Sequence, residues 1–212
     1  MLKSKAVYIF FLSLFTACFI SCNPVNNKTD ILKPVIEQGN GNPYASVDKS
    51  PMDMSYYPVN YPMLIMSGND TSRLIARVIY SRPQKNGRKI FGNEPPPKSV
   101  QQYGSYWRLG ANEASEIEFF KTVNVKGQKI ARGRYTIYCI PFENKWTIIF
   151  NSNLFSWGLH TDPSKDIARV DIPTFKTDRN IEFFTMVFQQ SATGADLIMA
   201  WDNVKAVLPI SF

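Results

Sequence analysis

Histidine is almost missing from this chain: His160 is the single copy in 212 residues. Cysteine is scarce as well, with Cys18, Cys22 and Cys139 only. Those two shortages leave four such ligands in all, the bare number for a His/Cys zinc cage. With Cys18 inside the apolar leader and Cys22 at its end, no such cage is expected. No Gly-x-x-x-x-Gly-Lys-Ser/Thr run and no dinucleotide glycine fingerprint occur, so the usual backbone cradles for phosphates are missing. A strained Gly-x-Ser-x-Gly nucleophile turn is also lacking. No metal, cofactor or catalytic set is therefore expected. Apolar residues never sustain a 3.6-residue period over several turns, which argues against a helical bundle. No internal repeat is visible. Charged residues reach only 19%, and the excess of basic ones (net +7) is interleaved with acids, so no nucleic-acid footprint emerges. The densest basic cluster, Lys126, Lys129, Arg132 and Arg134, reads as a solvated turn.

What is present begins with the leader. Lys3 and Lys5 precede a mostly apolar stretch from Ala6 to Ile20, too short for the roughly 20 residues that span a bilayer. It closes on Phe19-Ile20-Ser21-Cys22, a small residue directly before a cysteine. This resembles the lipobox of bacterial lipoproteins, in which that cysteine becomes the acylated first residue. The resemblance implies a signal peptide over 1–21 and a lipid on Cys22. It also implies an exported protein anchored in the bacterial envelope, at the outer membrane or a periplasmic face. Phe15-Thr16-Ala17-Cys18 is a rival cut that shortens the apolar stretch, and simple secretion is the other alternative. Each buried methylene contributes about 0.8 kcal/mol, so two or three acyl chains hold durably where one does not. Removal of Lys3 and Lys5 lowers the net charge by two, which leaves only a mild basic excess. Cys139, in Tyr135-Thr136-Ile137-Tyr138-Cys139-Ile140, reads as a buried residue of an interior strand.

Residues 22–47 carry Asn26-Asn27 and Gly39-Asn40-Gly41-Asn42-Pro43 and no hydrophobic period, the chemistry of a flexible tether. A folded domain is expected over 48–212. Its first part, Ser50-Pro51-Met52 to Met66, holds too many prolines for a helix and should lie extended as a strap or edge strand. Beyond Arg73, short runs rich in Val, Ile, Phe, Tyr and Thr fall at 74–80, 116–125, 128–131, 134–140, 145–150, 167–172, 181–188, 195–201 and 204–210. Trp146, Ile148 and Phe150 alternate with Lys145, Thr147 and Ile149, and Ile117 and Phe119 with Glu116 and Glu118. The expected fold is all-β, an antiparallel β-sandwich of about eight or nine strands, with one short helical turn near 152–159.

Several linked motifs carry a second resemblance. They are Ile75-Ala76-Arg77-Val78-Ile79-Tyr80-Ser81-Arg82-Pro83, Gly87-Arg88-Lys89-Ile90-Phe91-Gly92 and Trp107-Arg108-Leu109-Gly110-Ala111-Asn112-Glu113-Ala114. With Gly133-Arg134-Tyr135, Trp146-Thr147, Asn151, Trp157-Gly158, Phe183-Phe184-Thr185 and Trp201, they resemble the DUF2911 family, envelope proteins of unknown function frequent in Bacteroidetes. The likeness covers about 48–210. It implies a mostly β domain in an exported, often lipidated, setting, and it supplies no reaction. The chain departs from the pattern over 93–104, a proline-rich link, at Ile130-Ala131-Arg132-Gly133, and at Leu159-His160-Thr161-Asp162.

The residues that carry chemistry within those motifs are Arg82, Lys85, Arg88, Trp107, Arg108, Asn112 and Glu113. A guanidinium is a planar fork that grips carboxylate, sulfate or phosphate through paired hydrogen bonds. Converging arginines with Asn112, and Trp107 as a stacking wall, describe a site for an anionic or glycan ligand. An equally concrete alternative is structural: Arg82 or Arg108 pairs with Glu113 and clamps loops across one end of the sandwich. The sequence thus describes a non-catalytic binding or structural module. A hydrolase acting on a glycan or ester through Glu113 and a second carboxylate is the alternative, and it requires an open cleft containing both acids. Glu116 and Glu118 share one strand face and read as a charged exterior, and His160 as a loop residue.

Overall fold

The computed structural model describes Tyr44, residues 47–68 and residues 72–212. The leader and Cys22 lie outside the described residues. Among those described, no helix is long and apolar enough to cross a membrane.

Val47–Phe212 forms one unit. In chain order its elements are β1 (Met52–Tyr57), α1 (Tyr61–Met66), β2 (Ala76–Ser81), β3 (Phe91–Gly92), β4 (Gln101–Gln102) and β5 (Glu116–Phe119). There follow β6 (Val123–Val125), β7 (Gln128–Ile130), β8 (Gly133–Pro141), β9 (Lys145–Asn151), β10 (Asp166–Ser191) and β11 (Gly194–Ser211). Nine strands pair in the order β1-β2-β5-β8-β9-β10-β11-β6-β7, every neighbour antiparallel. β3 and β4 form a small parallel pair.

The expected sandwich is what forms, and the two longest strands make it. The start of β10 pairs with β9, and the rest of β10 pairs with β11, with register shifts between Lys176 and Ile181 and between Ile181 and Thr185. The shifts bend the hairpin, because extra residues on one strand kink it and raise its twist. The outer part of the hairpin turns over the first layer. There the Lys85 backbone N–H donates to Glu182 O at 2.7 Å and the Phe184 N–H donates to Pro83 O at 3.0 Å. Four runs that read as separate strands in the sequence, 167–172, 181–188, 195–201 and 204–210, are thus two continuous strands.

Alternation fills the space between the layers. Trp146, Ile148 and Phe150 of β9 and Ile117 and Phe119 of β5 are buried, as are Leu197, Met199, Trp201, Ala206, Leu208 and Ile210 of β11. Glu116 and Glu118, on the opposite face of β5, are only partly exposed. Glu116 pairs with Arg134, and Glu118 meets Arg77 at 2.7 Å. Cys139 on β8 is buried.

Two local expectations fail. Residues 152–159 form bends with no helix; the helical turn lies just beyond, at Pro163–Lys165, where the Asp162 carboxylate accepts from Ser164 N–H at 3.1 Å. Asp162 caps that turn, and Pro163 begins it at no hydrogen-bond cost. The strap is extended only through β1. At α1 it becomes helical, because Pro62 sits in the first turn, where its missing N–H has no intrahelical partner to lose.

Candidate functional site

The fold deals the seven candidate residues into separate groups. Arg82, Lys85 and Asn112 hold the strap and the long hairpin. The Arg82 Nη1 donates to Asp53 Oδ2 of β1 at 3.2 Å, and its guanidinium carbon stands 5.9 Å over the Phe183 ring of β10. Tyr80 also donates to that carboxylate, at 3.3 Å, and burial pushes its phenol up to about 12. Lys85 Nζ donates to Asp202 Oδ1 at 2.6 Å and to Asn180 Oδ1 at 3.3 Å, bracing the bent part of the hairpin. Asn112, with φ of 62°, donates to Ser50 O at 3.3 Å. Asn is among the few residues that adopt this left-handed backbone readily.

Arg88, Trp107 and Arg108 meet elsewhere, in a surface cleft of about 360 Å³. Arg88 Nε donates to Lys85 O at 3.0 Å and its Nη2 donates to Gln84 O, so the guanidinium is fixed against its own turn. Arg108 Nη1 donates to Asn112 O and, at 3.0 Å, to Trp157 O. Both cations are therefore held by neutral carbonyls. Arg77, Arg82, Arg134 and Arg169 all meet carboxylates, whereas neither Arg88 nor Arg108 forms an ion pair among the described residues. Burial lowers the pKa of Arg108, yet a guanidinium stays protonated at neutral pH. The loop clamp foreseen in the sequence thus exists with different partners: Arg108 ties 112 to 157 through carbonyls, and Glu113 takes no part. Glu113 is exposed, has no ion-pair partner among the described residues and does not line the cleft.

Trp107 is not the open stacking wall that its glycine-rich surroundings suggest. It is 5% exposed, because its backbone N–H and C=O bridge to Cys139 at 2.7 and 2.8 Å and turn the indole inward. There it packs on Trp146, Phe184 and Trp201 at ring separations of 5.5, 4.8 and 5.8 Å. With Trp201 it forms the floor of the cleft. The loops above are set by close backbone approach. A Cβ on Gly110 would stand 3.0 Å from Ser81 O, and one on Gly158, at φ of 77°, would stand 2.8 Å from the Arg108 Cβ.

The remaining walls come from residues the sequence did not single out: Ser50 of the strap, Tyr106, and Val100, Gln101 and Leu159. Gln101 is buried and donates to Ser105 O at 3.1 Å, which shapes the turn that presents Tyr106. No chemical motif marks these positions. Behind the cleft, Tyr138 donates to Asp166, and Asn151 Nδ2 donates to the same carboxylate at 2.7 Å. Arg169 Nε adds a bond of 2.8 Å to Asp166, and burial drives the Tyr138 phenol well above its ordinary range. This cluster is internally satisfied and braces β8, β9 and β10 against each other. Among the described residues, no group of three or more His, Cys, Asp or Glu side chains is placed to hold a metal ion.

The comparison with protein families bears directly on these residues. The model of a protein of unknown function, DUF2911, matches residues 66–210. The chain belongs to the DUF2911 family. No curated protein and no solved structure matches it. Arg88, Trp107 and Arg108 lie within the matched residues, as do Val100, Gln101 and Leu159, whereas Ser50 of the cleft wall precedes them.

Proposed function

We propose that this DUF2911 protein is a lipid-anchored, non-catalytic binding module of the bacterial envelope, and that its cleft takes an anionic ligand such as an acidic glycan. The observation that carries the reading is the pairing of Arg88 and Arg108 in one cleft, both held by carbonyls and neither neutralised by a carboxylate. A guanidinium fixed in this way keeps N–H groups for an incoming oxyanion, and its orientation is settled before the ligand arrives. The cleft floor is apolar and aromatic and its rim polar, the usual composition of a small-ligand site. Cys139, His160 and Glu113 stand outside the cleft lining: Cys139 is buried on β8, His160 lies in an exposed loop and Glu113 faces solvent. The anchor rests on the apolar leader that ends at Cys22.

Hydrogen bonds to charged groups contribute about 1.5–3 kcal/mol each, so two guanidinium contacts to one carboxylate correspond to a Kd on the order of 1 mM. Calorimetric titration with glucuronate, and with glucose as the neutral control, tests the proposal. Glucuronate should bind and glucose should not, and Arg88→Ala should weaken glucuronate at least tenfold while leaving the melting temperature nearly unchanged. Equal binding of both sugars, or full binding by Arg88→Ala, contradicts it.

A further inference from the structure

From Met54 to Gly68 the chain carries no charged residue. In the fold this stretch runs through the end of β1 and all of α1, and none of the six residues of α1 is buried. Met63, Ile65 and Met66 are 64%, 48% and 79% exposed. Val59, Met52 and Met54 extend the same apolar series, each exposed by more than two-fifths of its surface. Tyr56 and Tyr61 stand at its border with ring centroids 6.4 Å apart.

A six-residue helix is too short to persist on propensity alone, and helices in proteins take most of their stability from an apolar face packed on something. Here Tyr61 and Leu64 are half-buried, while Met63, Ile65 and Met66 stand exposed. A group of exposed apolar side chains of this kind marks an interaction surface. Its composition matches a bilayer interface: unbranched or aliphatic tips to enter the acyl boundary, uncharged backbone, and tyrosines, whose amphipathic rings favour the headgroup level. The chain also leads there from a proposed lipid. Cys22 to Val47 is a Gly-, Asn- and Pro-bearing stretch of sequence, and the folded unit that begins at Val47 reaches β1 only a few residues later.

We infer that α1, with the exposed methionines of β1, is a second membrane contact that seats in the headgroup region of a phospholipid bilayer and fixes the orientation of the domain. The inference rests on the lipoprotein reading only for what brings the domain to the bilayer; the contact itself is a property of α1. Lipid on Cys22 supplies the attachment, and α1 determines which side of the sandwich faces the membrane. The patch precedes or only touches the start of the family match, at residue 66.

The test uses the full chain on vesicles of phosphatidylcholine with one-third phosphatidylglycerol. A fluorescent, environment-sensitive amino acid is incorporated in place of Met66, with the same residue in place of Lys129 as the control, because Cys18 and Cys22 would also take a thiol reagent. The label at 66 should shift to the blue on vesicle addition and be quenched at least twofold by a lipid spin-labelled near the headgroup. The label at 129 should do neither, and adding Met63→Asp should abolish the response at 66. A label at 66 that stays in water while the chain sediments with vesicles overturns the inference. So does a label shielded without lipid in proportion to protein concentration, which would assign the patch to a second copy of the chain. The mass of the peptide bearing Cys22 is read separately. Unacylated chain whose label at 66 still responds keeps the inference and removes the anchor; acylated chain whose label stays in water does the reverse.

Discussion

Arg108 serves the fold and, under the proposed reading, the ligand as well. Its Nη1 joins the carbonyls of Asn112 and Trp157, and so ties two loops that are far apart in sequence. Replacing it with alanine removes both bonds and leaves two carbonyls to find water, a loss of about 1–2 kcal/mol for groups this accessible. Chemical denaturation should report that loss, and Arg108→Lys should recover only part of it, because an ammonium cannot hold the planar fork. Cys139 gives a second prediction at this scale. Burial raises its thiol pKa well above the ordinary value and leaves no path for a reagent. In native chain Cys139, read on the peptide that bears it, should therefore resist thiol labelling, with modification appearing only as fast as the protein unfolds; rapid labelling of that peptide under native conditions would contradict the burial. The buried thiol was legible in the sequence because apolar and β-branched neighbours surround it. The partner of Arg108 was not legible: a carbonyl has no residue identity, so a sequence can suggest Arg–Glu pairs but not Arg–backbone clamps.

At the scale of elements, local patterns identified strands well where one face is buried and one is not. β5 follows the alternation of its apolar residues, and β9 does so over its first half. β8 was legible instead as an apolar run, because both its faces are buried from Tyr135 to Cys139. Pattern reading failed where polar residues continue a strand past its core. Lys176 to Asn180 reads as a loop, yet it is the bulged bend that lets β10 serve both layers. It failed again at Trp107, whose glycine-rich context suggests exposure while its two-way bridge to Cys139 turns the ring inward. Trp107→Ala should cost about 3–5 kcal/mol, as for other buried large aromatics, and a thermal melt should show a correspondingly lower midpoint. The β9–β10 pairing carries a pH signature. Hydrogen bonds from Lys145 at 2.6 Å and Thr147 at 2.6 Å hold the Asp171 pKa below its ordinary value. A depressed carboxylate pKa stabilises the fold above the unfolded-state value near 4 and is lost as pH falls through the folded value. Asp171→Asn should therefore be less stable than the natural chain near pH 6, by no more than about 1 kcal/mol for so exposed a pair. The two should converge in strong acid.

For the whole molecule, the arrangement is a sandwich whose long bent hairpin closes over the first layer, with a basic cleft at the loops and an uncharged ridge on the strap. Strap and cleft adjoin, since Ser50 lines the cleft and its carbonyl accepts from Asn112. An envelope anchor at Cys22 predicts a mature chain that starts there, gains the mass of its acyl groups and partitions into detergent; a free amino terminus elsewhere and a purely aqueous phase would remove it. The proposed anion site at the two carbonyl-held arginines can be probed by anomalous diffraction from crystals grown with selenate. An anomalous peak is expected in the cleft within hydrogen-bonding distance of Arg88 and Arg108. An empty cleft with selenate on the basic turn at Lys126–Arg134 would contradict it.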